Sequence, residues 1–225
     1  MSKSIDGLWR APLRVLLFAA ALVGLVAAFA ASAAHATEVL LGNTLLITPG
    51  SAGATPTGSW FRLGVAPNYY SNASSTNTLD RTYTLLSPGT DGLSLLANQE
   101  PPTPTFDGSG NALADAIIAP TGFDGVDFSV ATPSIDPITR VANGAPSIVV
   151  NLLARPATIV ANLRAWTAYW NNQAFNQGAA VINATSFTLT RTGGTIVLDW
   201  VAPITSGPFA GYNGYWHIEG TVSNL

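Results

Sequence analysis

The clearest structural pattern in the sequence is Thr185-Ser186-Phe187-Thr188-Leu189-Thr190-Arg191, then Gly193-Gly194, then Thr195-Ile196-Val197-Leu198-Asp199-Trp200. Apolar and polar residues alternate in both halves, and a period of two places successive side chains on opposite faces of a β-strand. Most of these residues are β-branched or aromatic, which suits a pleated surface. Gly193-Gly194 can adopt the positive φ angles of a tight turn, so the stretch predicts a β-hairpin.

A further strand is predicted over residues 215–222, after a connection rich in Gly and Pro. Alternation places Trp216 and Ile218 on one face of this strand and His217 and Glu219 on the other. We expect Trp200 and Trp216 to anchor the core.

Short alternating segments separated by Gly, Pro, Asn and Asp recur through the rest of the chain, at intervals of about ten residues. They predict strands at residues 38–48 (or two strands broken at Gly42-Asn43), 59–65, 81–86, 93–96, 115–119 (with one helical turn within 112–119 as the alternative), 123–130, 147–154 and 158–170, with a hairpin turn at Asn171-Asn172. This spacing predicts an all-β fold, a single β-sandwich or jelly-roll-like domain.

Residues 1–36 have the pattern of a signal peptide. Basic residues precede an apolar run over residues 15–34, and Ala34-His35-Ala36 gives the small-x-small pattern of a cleavage site. We therefore expect residues 37–225 to form a secreted β-sandwich domain, extracellular or on the cell surface, with no membrane segment left after cleavage. The alternative is an uncleaved anchor, because an apolar run of about 20 residues can span a bilayer.

The composition excludes several classes of protein. The chain has no cysteine, so disulfides and thiol chemistry are excluded. Residues 37–225 carry six arginines and no lysine against eleven acids, a balance that argues against nucleic-acid binding. Charged residues make up only 9% of the chain, against about 25% in typical globular proteins. A surface built from Ser, Thr, Asn, Gln and Gly is typical of cell-wall, adhesive and self-assembling proteins.

Three residues of the two C-terminal strands are candidates for catalysis: Asp199, His217 and Glu219. A histidine beside carboxylates can act as a general base, and two carboxylates about 5–10 Å apart are the minimum for glycoside hydrolysis. The alternative is a hydrogen-bonded strand histidine with solvated or arginine-paired acids. Since His217 is the only histidine after residue 36 and there is no cysteine, the chain alone cannot supply an ordinary zinc site.

One loop resembles a calcium site in its spacing. Asp107, Ser109, Asn111 and Asp115 place oxygen side chains at the first, third, fifth and ninth positions of a calcium-binding loop. The closing glutamate is missing, and Ala112 stands at the sixth position, where glycine is usual. The alternative is a plain Asp-Gly turn, and the sequence predicts no other cofactor.

Four aromatic residues lie in or beside predicted loops: Tyr69, Tyr70, Trp170 and Tyr212. Aromatic rings pack on the C–H face of a sugar, and neighbouring Asn and Gln side chains can bond its hydroxyl groups. We expect these four to be exposed and to form a carbohydrate-binding surface, while core packing claims most of the other tryptophans.

Several sequence blocks occur together and in order: residues 58–62, 88–93, 106–114 and 170–178, then Gly207-Pro208-Phe209-x-Gly211-Tyr212-x-Gly214-x-Trp216-His217-x-Glu219-Gly220. This set resembles secreted bacterial proteins of the actinobacterial type. The resemblance covers most of residues 37–225. It implies an all-β secreted domain and no particular reaction.

Together these features predict a non-enzymatic secreted or cell-surface β-sandwich that binds or assembles with extracellular material. The expected partner is an extracellular glycan, a cell-wall component or another copy of the chain. The alternative is a secreted carbohydrate-active hydrolase that uses the paired carboxylates Asp199 and Glu219.

Overall fold

A computed structural model describes residues 38–40, 43–151, 156–190 and 193–223. These residues contain no helix, and so no helix that could cross a membrane. The predicted signal peptide, residues 1–36, lies outside them. The strands are β1 (Glu38–Leu40), β2 (Thr44–Ile47), β3 (Trp60–Val65), β4 (Asn68–Tyr69), β5 (Tyr83–Leu85), β6 (Leu93–Ser94), β7 (Thr121–Phe123), β8 (Val126–Ala131), β9 (Ser147–Asn151), β10 (Thr158–Asn162), β11 (Thr167–Trp170), β12 (Gln173–Asn176), β13 (Ile182–Thr190), β14 (Gly193–Pro203) and β15 (Asn213–Ser223).

The strands form two antiparallel sheets. The large sheet has the order β1-β9-β10-β13-β14-β15-β2-β6, with β3 joined to β15 and carrying β4 and β5. The small sheet has the order β12-β11-β8-β7. Strand β15 is the centre of the large sheet, because it pairs with β14 along its length and with both β2 and β3 on its other side.

Aromatic side chains fill the space between the two sheets. The rings of Trp200 and Trp216 stack 5.9 Å apart, and Trp166 meets both of them edge-on at 5.5 Å. Phe61 of the large sheet contacts Phe128 of the small sheet at 5.6 Å. The predicted all-β fold, a β-sandwich, is therefore confirmed, and so are Trp200 and Trp216 as core anchors.

Two predicted strands are each divided in the structure. Residues 123–130 are a hairpin and not one strand, because Asp124 and Gly125 adopt φ angles of 52° and 82° between β7 and β8. Residues 158–170 form β10 and β11, which belong to different sheets. The hairpin predicted at Asn171-Asn172 is confirmed, with φ angles of 48° and 60°.

The hairpin predicted over residues 185–200 is confirmed as β13 paired with β14, but its turn does not lie at Gly193-Gly194. Both glycines lie inside β14, paired with Thr190 and Leu189, and residues 191–192 lie outside the described part of the chain. Gly194 is needed because a Cβ atom there would lie 2.4 Å from the carbonyl oxygen of Thr188. The glycine thus allows a close approach of β13 and does not form the turn.

The strand predicted at residues 115–119 is also wrong. The successive carbonyls of Asp115, Ala116 and Ile117 all accept hydrogen bonds from the backbone of residues 89–92. In a regular strand, successive carbonyls point alternately to the two neighbouring strands. This segment is therefore an irregular extended segment and not a strand. The predicted strand at 147–154 is confirmed as β9 over residues 147–151, and residues 152–154 lie outside the described residues.

Candidate functional site

Three of the four aromatic residues predicted to bind a ligand meet around Phe209. The ring of Phe209 lies 5.3 Å from Tyr70, 5.3 Å from Trp170 and 6.3 Å from Tyr212, and Phe123 completes the group at 5.7 Å. We call Tyr70, Phe123, Trp170, Phe209 and Tyr212 the aromatic cluster. Its members come from four separate segments of the chain, so tertiary structure alone brings them together.

The loop between β14 and β15 carries Phe209 and Tyr212. Backbone hydrogen bonds join Ile204 to Tyr212 and to Gly211 at the base of this loop, at 2.8 and 2.9 Å. Gly207 and Gly211 have φ angles of 76° and 93°, a region that glycine enters without strain. Within residues 205–212 every residue is exposed except Phe209, which is half-buried. Phe209 therefore anchors this loop to the sandwich.

The members of the cluster differ in exposure. Tyr212 is 39% exposed and Tyr70 is half-buried. The expectation that Trp170 is exposed is wrong, because only 8% of it is accessible. Its indole Nε1 donates a hydrogen bond to the carbonyl of Phe123 at 2.8 Å. An indole whose single donor is satisfied inside the protein is stable as part of the core.

A buried asparagine fixes the position of Tyr70. The Asn72 side-chain amide donates to Thr84 Oγ1 at 2.9 Å and to the carbonyl of Gly122 at 3.0 Å, and its Oδ1 accepts from the backbone of Asp124. These bonds tie the Tyr70 segment to the β7–β8 turn. Burial and the neighbouring Asp124 carboxylate raise the pKa of Tyr70. The Tyr70 hydroxyl therefore remains a hydrogen-bond donor at neutral pH.

An apolar cavity of about 40 Å³ adjoins the aromatic cluster, between the two sheets. Phe209, Trp170 and Phe123 line it from the cluster side. The other lining residues include Phe61, Phe128 and Trp216 of the core, Ala168 of β11 and the amide of Gln177. The cluster thus borders a partly open space whose walls are mostly aromatic.

The predicted catalytic residues lie elsewhere, on the outward face of the large sheet. His217 stands directly opposite Asp199 across β14 and β15, and its Nδ1 lies 2.6 Å from Asp199 Oδ1. Its Nε2 lies 3.4 Å from Glu219 Oε1. Thr185 Oγ1 donates to the second oxygen of Asp199 at 2.8 Å. The predicted pairing of the two strands is therefore confirmed, with the imidazole between two carboxylates.

The carboxylates change how His217 titrates. Burial alone would lower the pKa of His217, but the hydrogen bonds and negative charges of Asp199 and Glu219 outweigh it and raise that pKa above its ordinary value of 6.5. Burial would likewise raise the pKa of Asp199, yet the hydrogen bonds from His217 and Thr185 hold it below its ordinary value of 3.8. Ionised acids and a protonated imidazole stabilise one another here.

Aromatic and cationic groups stand face to face beside His217. Trp60 stacks on the imidazole at 4.9 Å with an interplanar angle of 7°. The guanidinium of Arg62 lies between two tyrosines, 3.5 Å from the centre of Tyr69 and 3.9 Å from the centre of Tyr83. We call Trp60, Arg62, Tyr69, Tyr83, Asp199, His217 and Glu219 the outer strip. Tyr69 belongs to it and not to the aromatic cluster.

In the outer strip, the side chains that could transfer protons or bind a metal already contact one another. Both ring nitrogens of His217 face carboxylates, so a substrate would have to displace the Glu219 contact to reach Nε2. The two nitrogens point to opposite sides of the ring and cannot bind one metal ion. Within the described residues no group of three or more His, Cys, Asp or Glu side chains is arranged to hold a metal. The structure brings the three predicted catalytic residues together, but His217 contacts both carboxylates.

In the predicted calcium loop, hydrogen bonds from residues of the same loop occupy the Asp107 carboxylate. The Asp107 carboxylate accepts hydrogen bonds from the backbone of Ser109 at 2.8 Å, and from the backbone and side chain of Asn111 at 2.9 and 2.8 Å. Asn111 Oδ1 in turn accepts from the backbone of Asp127. Asp115 is exposed, and its backbone carbonyl bonds to Thr90. Calcium binding here stays a prediction.

No protein-family model, curated protein or solved structure matches this chain. The resemblance to secreted bacterial proteins stays a prediction, and the site is interpreted from its own geometry. Sequence reasoning missed Phe209, the residue on which the aromatic cluster converges. An aromatic residue between Gly207-Pro208 and Gly211, in a loop with no other large apolar side chain before Tyr212, is the signal that could have found it.

Proposed function

We propose that this protein is a non-enzymatic secreted or cell-surface protein that attaches to extracellular glycan or cell-wall material through the aromatic cluster. The observation that carries the proposal is the convergence of Tyr70, Trp170 and Tyr212 on Phe209. Binding residues tend to lie on loops that a rigid scaffold holds in place. Here the β-sandwich is that scaffold.

Polar groups beside the cluster support a saccharide as the ligand. Asn171, Asn172 and Gln173 are exposed at the β11–β12 turn, directly after Trp170. The Gln173 amide also lies against the Phe209 loop, since a Cβ atom on Gly207 would be 2.5 Å from Gln173 Oε1. The Gln173 amide, which contacts the loop that carries Tyr212, can bond sugar hydroxyls while the tyrosine ring packs on the sugar.

The state of the outer strip supports binding over hydrolysis. A hydrolase that used Asp199 and Glu219 would need one carboxyl group as acid and the other as base or nucleophile. Both carboxylates instead face the same imidazole, at 2.6 and 3.4 Å. They are also on the outward face of an open sheet, while a glycosidase must hold its substrate in a cleft or pocket.

The test is retention of the purified protein on insoluble glycans, namely cellulose, chitin and peptidoglycan. We expect Tyr212→Ala to weaken retention about tenfold, the loss of about 1.4 kcal/mol from one aromatic contact. Phe187→Ala is a matched control, because Phe187 is 38% exposed on β13 and Tyr212 is 39% exposed. Equal retention of the two variants, or no retention of the wild-type protein, would contradict the proposal.

A further inference from the structure

We propose that Phe209 is a displaceable plug and that the cavity beside it is a binding site for one aromatic group, of phenyl to indole size. In the bound state the ligand ring occupies the cavity and the place of the Phe209 ring. The Phe209 loop then lies further from the sandwich. This site lies on the inner side of the aromatic cluster and shares Phe209 and its neighbours with it, but the argument for it does not rest on glycan binding.

The cavity has the chemistry of an apolar site. A volume of about 40 Å³ exceeds the roughly 10–15 Å³ that one water needs. A buried water also needs polar partners, and Gln177 is the one polar residue of the lining. Gln177 Oε1 already accepts from Trp216 Nε1 at 3.2 Å, and its Nε2 donates to Asn176 at 3.0 Å. The space therefore favours an apolar occupant over water.

The Phe209 loop is arranged so that it can open. Its base is held by backbone hydrogen bonds at Ile204 and Tyr212, while the residues between them are exposed apart from Phe209. Gly207 and Gly211, on either side of Phe209, have positive φ angles. Glycines at these positions can change conformation at little steric cost. Opening thus requires the loss of the contacts of the Phe209 ring and of the contact between Gly207 and Gln173, while the base of the loop stays closed.

The walls fit a flat ring. Phe209 is surrounded by Tyr70 at 5.3 Å edge-on, Phe123 at 5.7 Å edge-on and Trp170 at 5.3 Å tilted. An incoming aromatic ring would take over these contacts, because aromatic pairs favour edge-to-face and offset geometries at 4.5–7 Å, roughly the separations seen here. The ligand would gain the cavity volume in addition to the contacts of Phe209.

A small residue keeps the cavity open. Ala168 of β11 lines it and is buried. Protein interiors are usually packed with few voids larger than a water molecule. A leucine or valine at this position would occupy space that the present chain leaves empty, so Ala168 supplies a way to block the site without touching Phe209.

The experiment measures binding of indole and of toluene to the wild-type protein by calorimetry and by the rise in Tm with ligand concentration. We expect wild-type binding of both, and at least about tenfold tighter binding to Phe209→Ala, because the plug no longer competes with the ligand. Ala168→Leu should lose binding. Phe187→Ala, the same change at an exposed phenylalanine of β13, should bind like the wild-type protein.

Each other outcome overturns the proposal. Binding to Phe209→Ala alone would mean that the substitution creates a void and that the natural chain has no site. Undiminished binding to Ala168→Leu would place the ligand elsewhere. Circular dichroism checks the fold, and if Ala168→Leu does not fold, Ala168→Val replaces it with the same expected loss. Glycan retention of the Ala168 variant should be unchanged, so failure here and failure of glycan binding can be told apart.

Discussion

The outer strip and the aromatic cluster both bring together aromatic side chains from distant segments, but they differ in which ring faces and polar groups remain accessible to a ligand. In the outer strip, Trp60 stacks on His217, and Arg62 lies between Tyr69 and Tyr83. The ring nitrogens of His217 are engaged as well. In the aromatic cluster, Tyr212 keeps an exposed ring and Phe209 borders an unfilled cavity. In the outer strip the polar groups and ring faces already contact one another. The aromatic cluster has an exposed ring and an unfilled cavity that are available to a ligand.

Suitable residue types at suitable spacing do not by themselves make a catalytic or binding site. Asp199, His217 and Glu219 have the composition of a catalytic group, and the structure does bring them together. What decides between structure and function is whether a donor, an acceptor or a ring face remains available. That property is set by neighbours that are distant in sequence.

The largest expected effect compares two adjacent residues of β15 that point to opposite faces. Trp216 is 1% exposed and contacts Trp166, Trp200 and Phe61 in the core. We expect Trp216→Ala to lower the free energy of unfolding by about 3–5 kcal/mol, and His217→Ala to lower it by much less. Urea denaturation measures both. Equal losses would contradict the division between a core face and a surface network.

The next prediction tests whether the outer strip is structural. His217→Gln removes the charge that Asp199 and Glu219 stabilise, and it removes the stacked imidazole. We expect a loss of about 1–2 kcal/mol at pH 6, at the lower end for bonds to charged groups because solvent screens these partly exposed side chains. Unchanged stability in urea denaturation would mean that the network contributes nothing to the fold.

The same network predicts a pH dependence of stability. The pKa of His217 is raised, so its contribution is complete below its ordinary value of 6.5 and is lost as pH rises through the folded-state pKa. The pKa of Asp199 is lowered, so its contribution is complete above 3.8 and is lost as pH falls through the folded-state pKa. The difference in Tm between wild type and His217→Gln should therefore be largest between these two values. A difference that grows above pH 8 would contradict this assignment.

A smaller effect is expected from the stacked arginine of the outer strip. Arg62→Lys keeps the positive charge but loses the planar group that fills the gap between Tyr69 and Tyr83. We expect a loss of about 0.5–1 kcal/mol in the free energy of unfolding. Arg81→Lys is the control, since Arg81 is exposed. If both variants lose the same free energy of unfolding, stacking between the two tyrosines does not account for the contribution of Arg62 to stability.

The smallest expected effect concerns the Asp107 loop, which is closed like the outer strip. Its carboxylate already accepts three hydrogen bonds from its own loop. We expect the Tm to be the same, to within about 1 °C, with excess EDTA and with added calcium, because a ligand stabilises a fold only when it binds the folded state. A fall of several degrees with EDTA would establish the calcium site that the spacing predicts.

The sequence predicts the fold because period-two alternation is a local signal. Ile196, Leu198 and Ile218 are buried as the alternation requires, and the Asn171-Asn172 hairpin forms with the expected positive φ angles. Asp124-Gly125 carries an equally local turn signal, so the β7–β8 hairpin was predictable and was missed. Gly194 misled because glycine serves both turns and close approach between strands, and the sequence does not distinguish them.

The candidate site could be predicted only in part. Tyr70, Trp170 and Tyr212 were identifiable as loop aromatics, but their meeting at Phe209 depends on contacts between distant segments. The burial of Trp170 depends on the Phe123 carbonyl that accepts its N–H. The cavity was not predictable, because it is a small difference between the volume enclosed by two sheets and the side chains that fill it.

A comparison of two variants distinguishes a glycan-binding aromatic cluster from an outer strip that stabilises the fold. Retention on glycans is measured for Tyr212→Ala and His217→Gln, both at pH 6 and well below their Tm. We expect Tyr212→Ala to lose retention with little change in Tm, and His217→Gln to have a lower Tm with retention unchanged. Loss of retention in His217→Gln together with full retention in Tyr212→Ala would contradict it.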